Sequence, residues 1–178
     1  MALAAFIISI LALVVALMAL PTVFQVFLGK PKLIIHFGVR EVKGGKVLQG
    51  ELYNPQIRSR LLQIVGIRRM VADDIVVRFS IKNGNDGSNA VAEIVPSLIS
   101  HAGIAPAQRI SLPPSIFPSQ FGIATVEDAE GLVRVFEQDE ILGLGLYHVF
   151  VEVAVECKTI TAQRDFKVIN KPPFAVWI

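Results

Sequence analysis

From Ala2 to Leu20 the chain runs for 19 residues without a charged side chain, and Ser9 is the only polar residue among them. As a helix this stretch is about 28 Å long, close to the roughly 30 Å hydrocarbon thickness of a bilayer. A helix buried in a soluble core is shorter or carries a polar stripe, and no face of this one does. The hydroxyl of Ser9 is the kind of group that bonds back to the preceding helical turn. The stretch predicts one transmembrane helix.

A cleaved signal peptide is the main rival. No lysine or arginine precedes the apolar run, and "ALMALP" around Ala16 to Pro21 offers no small-x-small cleavage triplet, which predicts an uncleaved signal anchor. Pro21 lacks a donor N–H and crowds the preceding turn, so the helix either kinks or ends there, or continues with a bend through Leu28. In the first case Thr22–Leu28 lies at the interface, with Phe24 and Phe27 at lipid level and Gln25 toward water.

Composition separates at the same boundary. Hydrophobic residues make up 53% and charged ones 18%, against roughly 45–50% and 25% in a typical soluble domain. The first charge is Lys30, so all 17 Lys and Arg and all 15 Asp and Glu lie beyond the apolar segment. A chain of 178 residues has room for one domain of about 100–150 residues beside such a segment. The organisation expected is an anchor over 1–28 and a domain over 29–178. Lys30, Lys32, Arg40, Lys43 and Lys46 follow the helix closely, and the positive-inside rule places the domain in the cytoplasm. Cys157, the single cysteine, excludes an internal disulfide and suits a reducing compartment.

Beyond Lys30 the dominant pattern is alternation with a period of two, the mark of half-buried strands. Ile75, Val77, Phe79 and Ile81 share one face of a strand that runs into the turn "NGNDGS", whose Asn-Gly and Asp-Gly pairs accept positive φ. Tyr147, Val149, Val151, Val153, Val155 and Cys157 share a face of a penultimate strand, and Thr159–Ile169 forms the last. Further strands are expected at Lys32–Val39, Lys46–Tyr53, Leu61–Val71, Ala90–Val95, Ile123–Val126 and Leu132–Glu137, with no helix after residue 30. Many strands without crossover helices predict an all-β antiparallel sandwich or barrel. In "ILGLGLYHVFVEV", Gly145 and Tyr147 at the start of the penultimate strand resemble the tyrosine corner of immunoglobulin-like sandwiches. That resemblance implies an immunoglobulin-like β-sandwich in which the phenol bonds to backbone a few residues upstream.

Five of the ten prolines lie between Pro96 and Pro118, which marks a Pro-rich insertion at 96–118. It reads as a long connection packed across the sandwich by Ile110, Leu112, Ile116 and Phe117, or as a partner-docking loop. In the closing "KPPFAVWI", Phe174 and Trp177 are expected to fold back onto the domain; the other readings are a strand added to a neighbouring sheet edge, or Trp177 at the bilayer interface.

No constellation of catalytic residues stands out. Cys157 and His148 are too far apart on one strand, about 30 Å, to form a dyad. His36 and His101 are isolated, and no zinc spacing, nucleophile elbow, P-loop or dinucleotide fingerprint occurs. Acidic loops at Glu127, Asp128 and Glu130 and at Glu137, Asp139 and Glu140, with the pair Asp73 and Asp74, suit either solvated turns or a calcium site. The densest charge is basic: Arg58, Arg60, Arg68 and Arg69 are candidates for an anionic partner, or pair with Asp73 and Asp74. Lys30 and Lys32 are candidates for headgroup contact. A net charge of +2 with no interleaved aromatic platform argues against nucleic acid.

The sequence therefore predicts a single-span membrane protein, not an enzyme and without cofactor or metal, that acts as a binding or assembly module. Its partners would be the bilayer and a membrane-associated protein, and an oligomer is compatible with this. The alternative is an exported envelope or filament component. Type IV pilins resemble the layout of apolar helix before β-rich head, but this chain lacks their glutamate near the helix start and their processing site. An enzyme ranks third.

Overall fold

The computed structural model describes residues 2–100, 103–105, 109–138, 140–155 and 158–178. In chain order the elements are helix α1 (Ala2–Leu28), strands β1 (Ile34–Val42) and β2 (Gly45–Tyr53), and a short helix α2 (Arg60–Ile64). Then follow β3 (Ala72–Asn83), β4 (Asn89–Ile94), β5 (Leu98–Ser100), β6 (Gly103–Ala105), β7 (Ile110–Leu112) and β8 (Ser119–Glu127). The chain closes with β9 (Leu132–Val135), β10 (Ile141–Leu142), β11 (Gly145–Val155), β12 (Lys158–Val168) and β13 (Ala175–Trp177).

Helix α1 contains only Ser9, Thr22 and Gln25 as polar residues, and it continues through Pro21 to Leu28. None of its described side chains from Phe6 to Leu28 is buried inside the protein, and it is long and apolar enough to cross a membrane.

The strands form two antiparallel sheets. One has the order β1-β2-β8-β5-β6, with β9 along the second half of β8 and β10 on β9; the other has the order β13-β12-β11-β3-β4, with β7 against the start of β3. The alternation that marks β3 and β11 in the sequence is what joins them. Val77 lies opposite Val153, Phe79 opposite Val151 and Ile81 opposite Val149, and all six are buried. The sheets meet across one apolar cluster, to which the first contributes Leu48, Leu52, Phe121 and Ile123 and the second Phe79, Val151 and Phe166. Phe79 and Phe121 stack across the gap with centroids 6.4 Å apart. Each such side chain contributes about 1.5–3 kcal/mol over an exposed one, so this cluster is where the domain's stability resides. Gly50 is required within it, because a Cβ there would run into the ring of Phe121 on the neighbouring strand.

The sequence predicts a strand over Leu61–Val71, and this is corrected: the chain forms α2 and then an irregular run to β3. Both edges of β3 are already taken, by β11 on one side and β4 on the other, and β7 pairs with its start. The apolar spacing is helical, with Leu61, Ile64 and Val65 on one face, and Gly66 at φ 83° ends the turn.

The Pro-rich segment also differs from a plain connection. β5 and β6 form a hairpin that reaches the first sheet at Ile99 opposite Gln120, while β7 joins the second. Leu112 is buried and Ile110 packs against the core as expected, but Ile116 and Phe117 are 72% and 52% exposed. The Phe117 amide donates to the Ser115 hydroxyl at 3.0 Å, and this local turn directs both side chains outward.

The C-terminal tail folds back as β13 on β12. Its Trp177 ring packs against Phe166 of its own sheet at 5.8 Å and Phe37 of the other at 5.3 Å. The indole N–H donates to the Gly38 carbonyl at 2.9 Å, so one side chain bridges the two sheets at a shared edge. Trp177→Phe keeps the packing and removes this donor. Urea unfolding in detergent should show a loss of about 1 kcal/mol, with little change in the β signal of the folded protein.

Candidate functional site

The end of α1 leaves backbone carbonyls without helical partners, and they carry the negative end of the helix dipole. The last turn supplies no basic side chain. Arg69 does so from elsewhere in the chain. Its Nη1 donates to the Lys30 carbonyl at 2.8 Å and to the Leu28 carbonyl at 3.3 Å, and its Nε donates to the Pro55 carbonyl at 3.2 Å.

Beside it, the Gln25 side chain pairs with the backbone of Arg68 in both directions. Its Nε2 donates to the Arg68 carbonyl at 2.7 Å and its Oε1 accepts the Arg68 amide at 2.8 Å. The Met70 amide donates to the Gly29 carbonyl at 2.6 Å. This approach needs a glycine at 29, since a Cβ there would collide with the Gln25 carbonyl and with the Arg68 carbonyl.

Asn54, at the end of β2 and 1% exposed, ties this junction to the sheets. Its Nδ2 donates to the carbonyls of Met70 at 3.0 Å and Leu112 at 2.9 Å, and its Oδ1 accepts the Lys32 amide at 3.3 Å. Its own carbonyl accepts the Ser115 amide at 3.0 Å. One buried side chain thus holds the linker after α1, the run before β3 and the loop after β7 at one end of the domain.

Most sequence candidates gather here. Phe24 and Phe27 are exposed on the last two turns of α1, and Lys30 and Lys32 are exposed just beyond. Arg68 and Arg69 line a cleft of about 520 Å³ with Ile57, Gln63 and Pro114; Arg58, next to Ile57 in the chain, and Arg60, the first residue of α2, are both exposed. Arg69 is the most engaged of the four arginines, being turned onto carbonyls. Asp74 lies 4.0 Å from Arg109, so it is not held by the Arg68-Arg69 pair. Gln25, expected to face water, instead faces the Arg68 backbone.

Elsewhere, the Tyr147 hydroxyl donates to the Gly143 carbonyl at 3.0 Å, four residues upstream, and its ring stacks on Phe166 at 5.3 Å. Burial pushes the phenol pKa up. Gly145 opens β11 as expected. His148 Nδ1 lies 2.7 Å from Asp165 Oδ1 across the β11–β12 ladder, and this hydrogen bond holds the Asp165 carboxyl below its ordinary value. His36 meets the edge of Tyr53 at 5.2 Å.

In the acidic loops Arg134 takes Glu127 at 3.0 Å and Glu130 at 3.9 Å, and Glu137 accepts the Ser97 amide at 3.3 Å. Among the described residues, no group of three His, Cys, Asp or Glu side chains is placed to hold a metal ion. His101, Asp139 and Cys157 lie outside the described residues.

Sequence reasoning missed Asn54, Gln25 and Gly29. Asn54 sits in "YNPQ", which reads as a turn, and Gln25 is the last polar residue of an apolar helix; neither pattern names a partner 16 to 58 residues away. No protein-family model, curated protein or solved structure matches the chain.

Asn54→Ala leaves buried donors and acceptors unmet, and the urea midpoint should fall by the equivalent of about 3 kcal/mol. For Asp165 the folded pKa is depressed, so its contribution is present above the unfolded carboxylate value of about 3.9 and is lost as pH falls through the folded value. A carboxyl NMR titration should place Asp165 below that reference, and His148→Ala should return it upward.

Proposed function

We propose that the chain is a single-span membrane protein whose α1 crosses the bilayer and whose two-sheet domain, an immunoglobulin-like sandwich, is a non-catalytic binding or assembly module on the cytoplasmic side. The observation that carries this reading is α1 itself. From Phe6 to Leu28 its side chains are apolar but for Ser9, Thr22 and Gln25, none of those described is buried, and yet its end is hydrogen-bonded into that domain. A surface of this kind needs a lipid solvent.

Lys30 and Lys32, exposed directly after the helix, favour retention of that end on the cytoplasmic face. The Tyr147–Gly143 hydrogen bond supports the immunoglobulin-like reading, as it is the contact the tyrosine corner makes. The mechanism is tethering. Confinement to the membrane plane raises the effective concentration of the domain for a membrane-associated protein partner without any added contact.

The test is fractionation followed by topology mapping. The full chain should sediment with membranes and resist carbonate or salt extraction; recovery in the supernatant without detergent refutes the anchor. In a Cys157→Ser background, Asn85→Cys places a thiol on the exposed turn after β3. It should react with a membrane-impermeant maleimide only after the cells are opened. Labelling on intact cells would put the domain outside and establish the exported alternative.

A further inference from the structure

Helix α2 buries none of its residues, and its apolar side chains stand in the open. Ile57 and Ile67 on either side of it are buried, while Leu61 and Ile64 are 76% and 81% exposed. Its outward face is therefore apolar. Across the cleft that Gln63 and Pro114 line together, the loop after β7 turns Ile116 and Phe117 outward. Isolated exposed apolar residues are unremarkable on any surface, but two such clusters flanking one cleft mark a contact face.

The same end of the molecule carries an excess of basic side chains. The three segments that meet there, residues 21–33, 54–72 and 113–118, carry Lys30, Lys32, Arg58, Arg60, Arg68 and Arg69; the carboxylates nearest them in the chain are Asp73 and Asp74, exposed at the start of β3, with Asp74 4.0 Å from Arg109. The other 11 cations are outnumbered by the chain's 15 carboxylates. Apolar side chains ringed by arginine and lysine are the composition of an interfacial membrane segment facing anionic lipid.

Position decides between a membrane and a protein as the occupant. The Arg68 backbone is bonded to Gln25 and the Met70 amide to Gly29, so this strip lies level with the end of α1. Ile64 is four residues from Arg68, within about 14 Å even for an extended chain. If α1 crosses the bilayer, its last turn lies at headgroup depth, and the face made by α2 and the loop lies beside it.

We infer that Leu61, Ile64, Ile116 and Phe117 insert into the interface of the leaflet that α1 leaves, with Arg58, Arg60 and Arg68 on anionic headgroups. The domain then stands on the membrane at two points in a fixed orientation. This rests on the proposed span of α1, and the experiment reads the two separately.

Single cysteines at Leu13, Ile64, Phe117 and Asn85, each in the Cys157→Ser background, are labelled with an environment-sensitive fluorophore. The full chain is reconstituted into phosphatidylcholine vesicles with and without phosphatidylglycerol, and lipids bearing nitroxides at shallow or deep acyl positions act as quenchers. Emission from Trp177 confirms that each variant is folded. The probe at 13 should be quenched by deep nitroxides, and those at 64 and 117 by shallow ones. The probe at 85 should stay aqueous, because β3 carries the chain about 36 Å from the foot. Anionic lipid should strengthen quenching at 64, and R58E with R60E should reduce that gain about two-fold or more.

Quenching at 13 with aqueous emission at both 64 and 117 overturns the inference and leaves the anchor standing. Aqueous emission at 13 overturns the anchor. Probes at 64 and 117 that become shielded only when a soluble or membrane protein is added would assign this face to that protein and also overturn the inference.

Discussion

The hydrogen bonds between the last turn of α1 and the strip Arg68–Met70 decide how the rest of the molecule is held. Lys30-Pro31-Lys32 alone would leave a short swivel between helix and domain. Instead Gln25, Gly29 and the carbonyls of Leu28 and Lys30 are all engaged by residues some 40 positions later. A guanidinium supplied in trans along the chain meets the negative end of the helix dipole, where a cation contributes most. Asn54 then passes the constraint to the strand ends, and because it is buried its bonds form in a medium where leaving them unmade is costly. Rotation of the helix against the domain would break several of these bonds together.

That rigidity gives the distribution of charge and apolar surface a direction. The segments that meet α1 are basic and partly apolar, and Asp73 and Asp74 at the start of β3 are the carboxylates nearest them in the chain. At physiological ionic strength a charge is felt over only about 8 Å. Charges at the far end of a strand as long as β3 are therefore screened from anything at the foot, and on the proposed reading the near end, with Asp73 and Asp74 among its charges, would determine how the domain meets an anionic surface. A net charge of +2 hides this separation.

The sheets were the most legible part of the chain, and the reason lies in individual positions. In β3 and β11 burial alternates cleanly, so Val77, Phe79, Val151 and Val153 announce both strand and face. Where an apolar run is not turned toward the core, the same reasoning fails: Leu61, Ile64 and Val65 read as strand because exposure cannot be seen in a sequence. Ile116 and Phe117 failed likewise, since an apolar residue is assumed to be inside. The basic candidates were recognised from their density, but the role of Arg69 depends on carbonyls of Leu28, Lys30 and Pro55 that no local pattern names. Gln25, Gly29 and Asn54 matter through long-range backbone partners, which periodicity does not encode.

A helix that only tethers leaves its cargo free to tilt and turn, so a partner must spend binding free energy to fix it. The junction at Gly29 removes the motion between α1 and the domain, but a lone α1 could still tilt and spin within the bilayer. A second contact off the helix axis would remove the spin, because α2 and the loop after β7 could not leave the interface without exposing apolar surface to water. On the proposed reading, the surfaces of the two sheets away from the foot are then presented at a fixed height and angle above the membrane. On that reading a partner confined to the same plane would meet them already oriented, and that orientation, more than any recognisable pocket, would be what this architecture supplies to assembly.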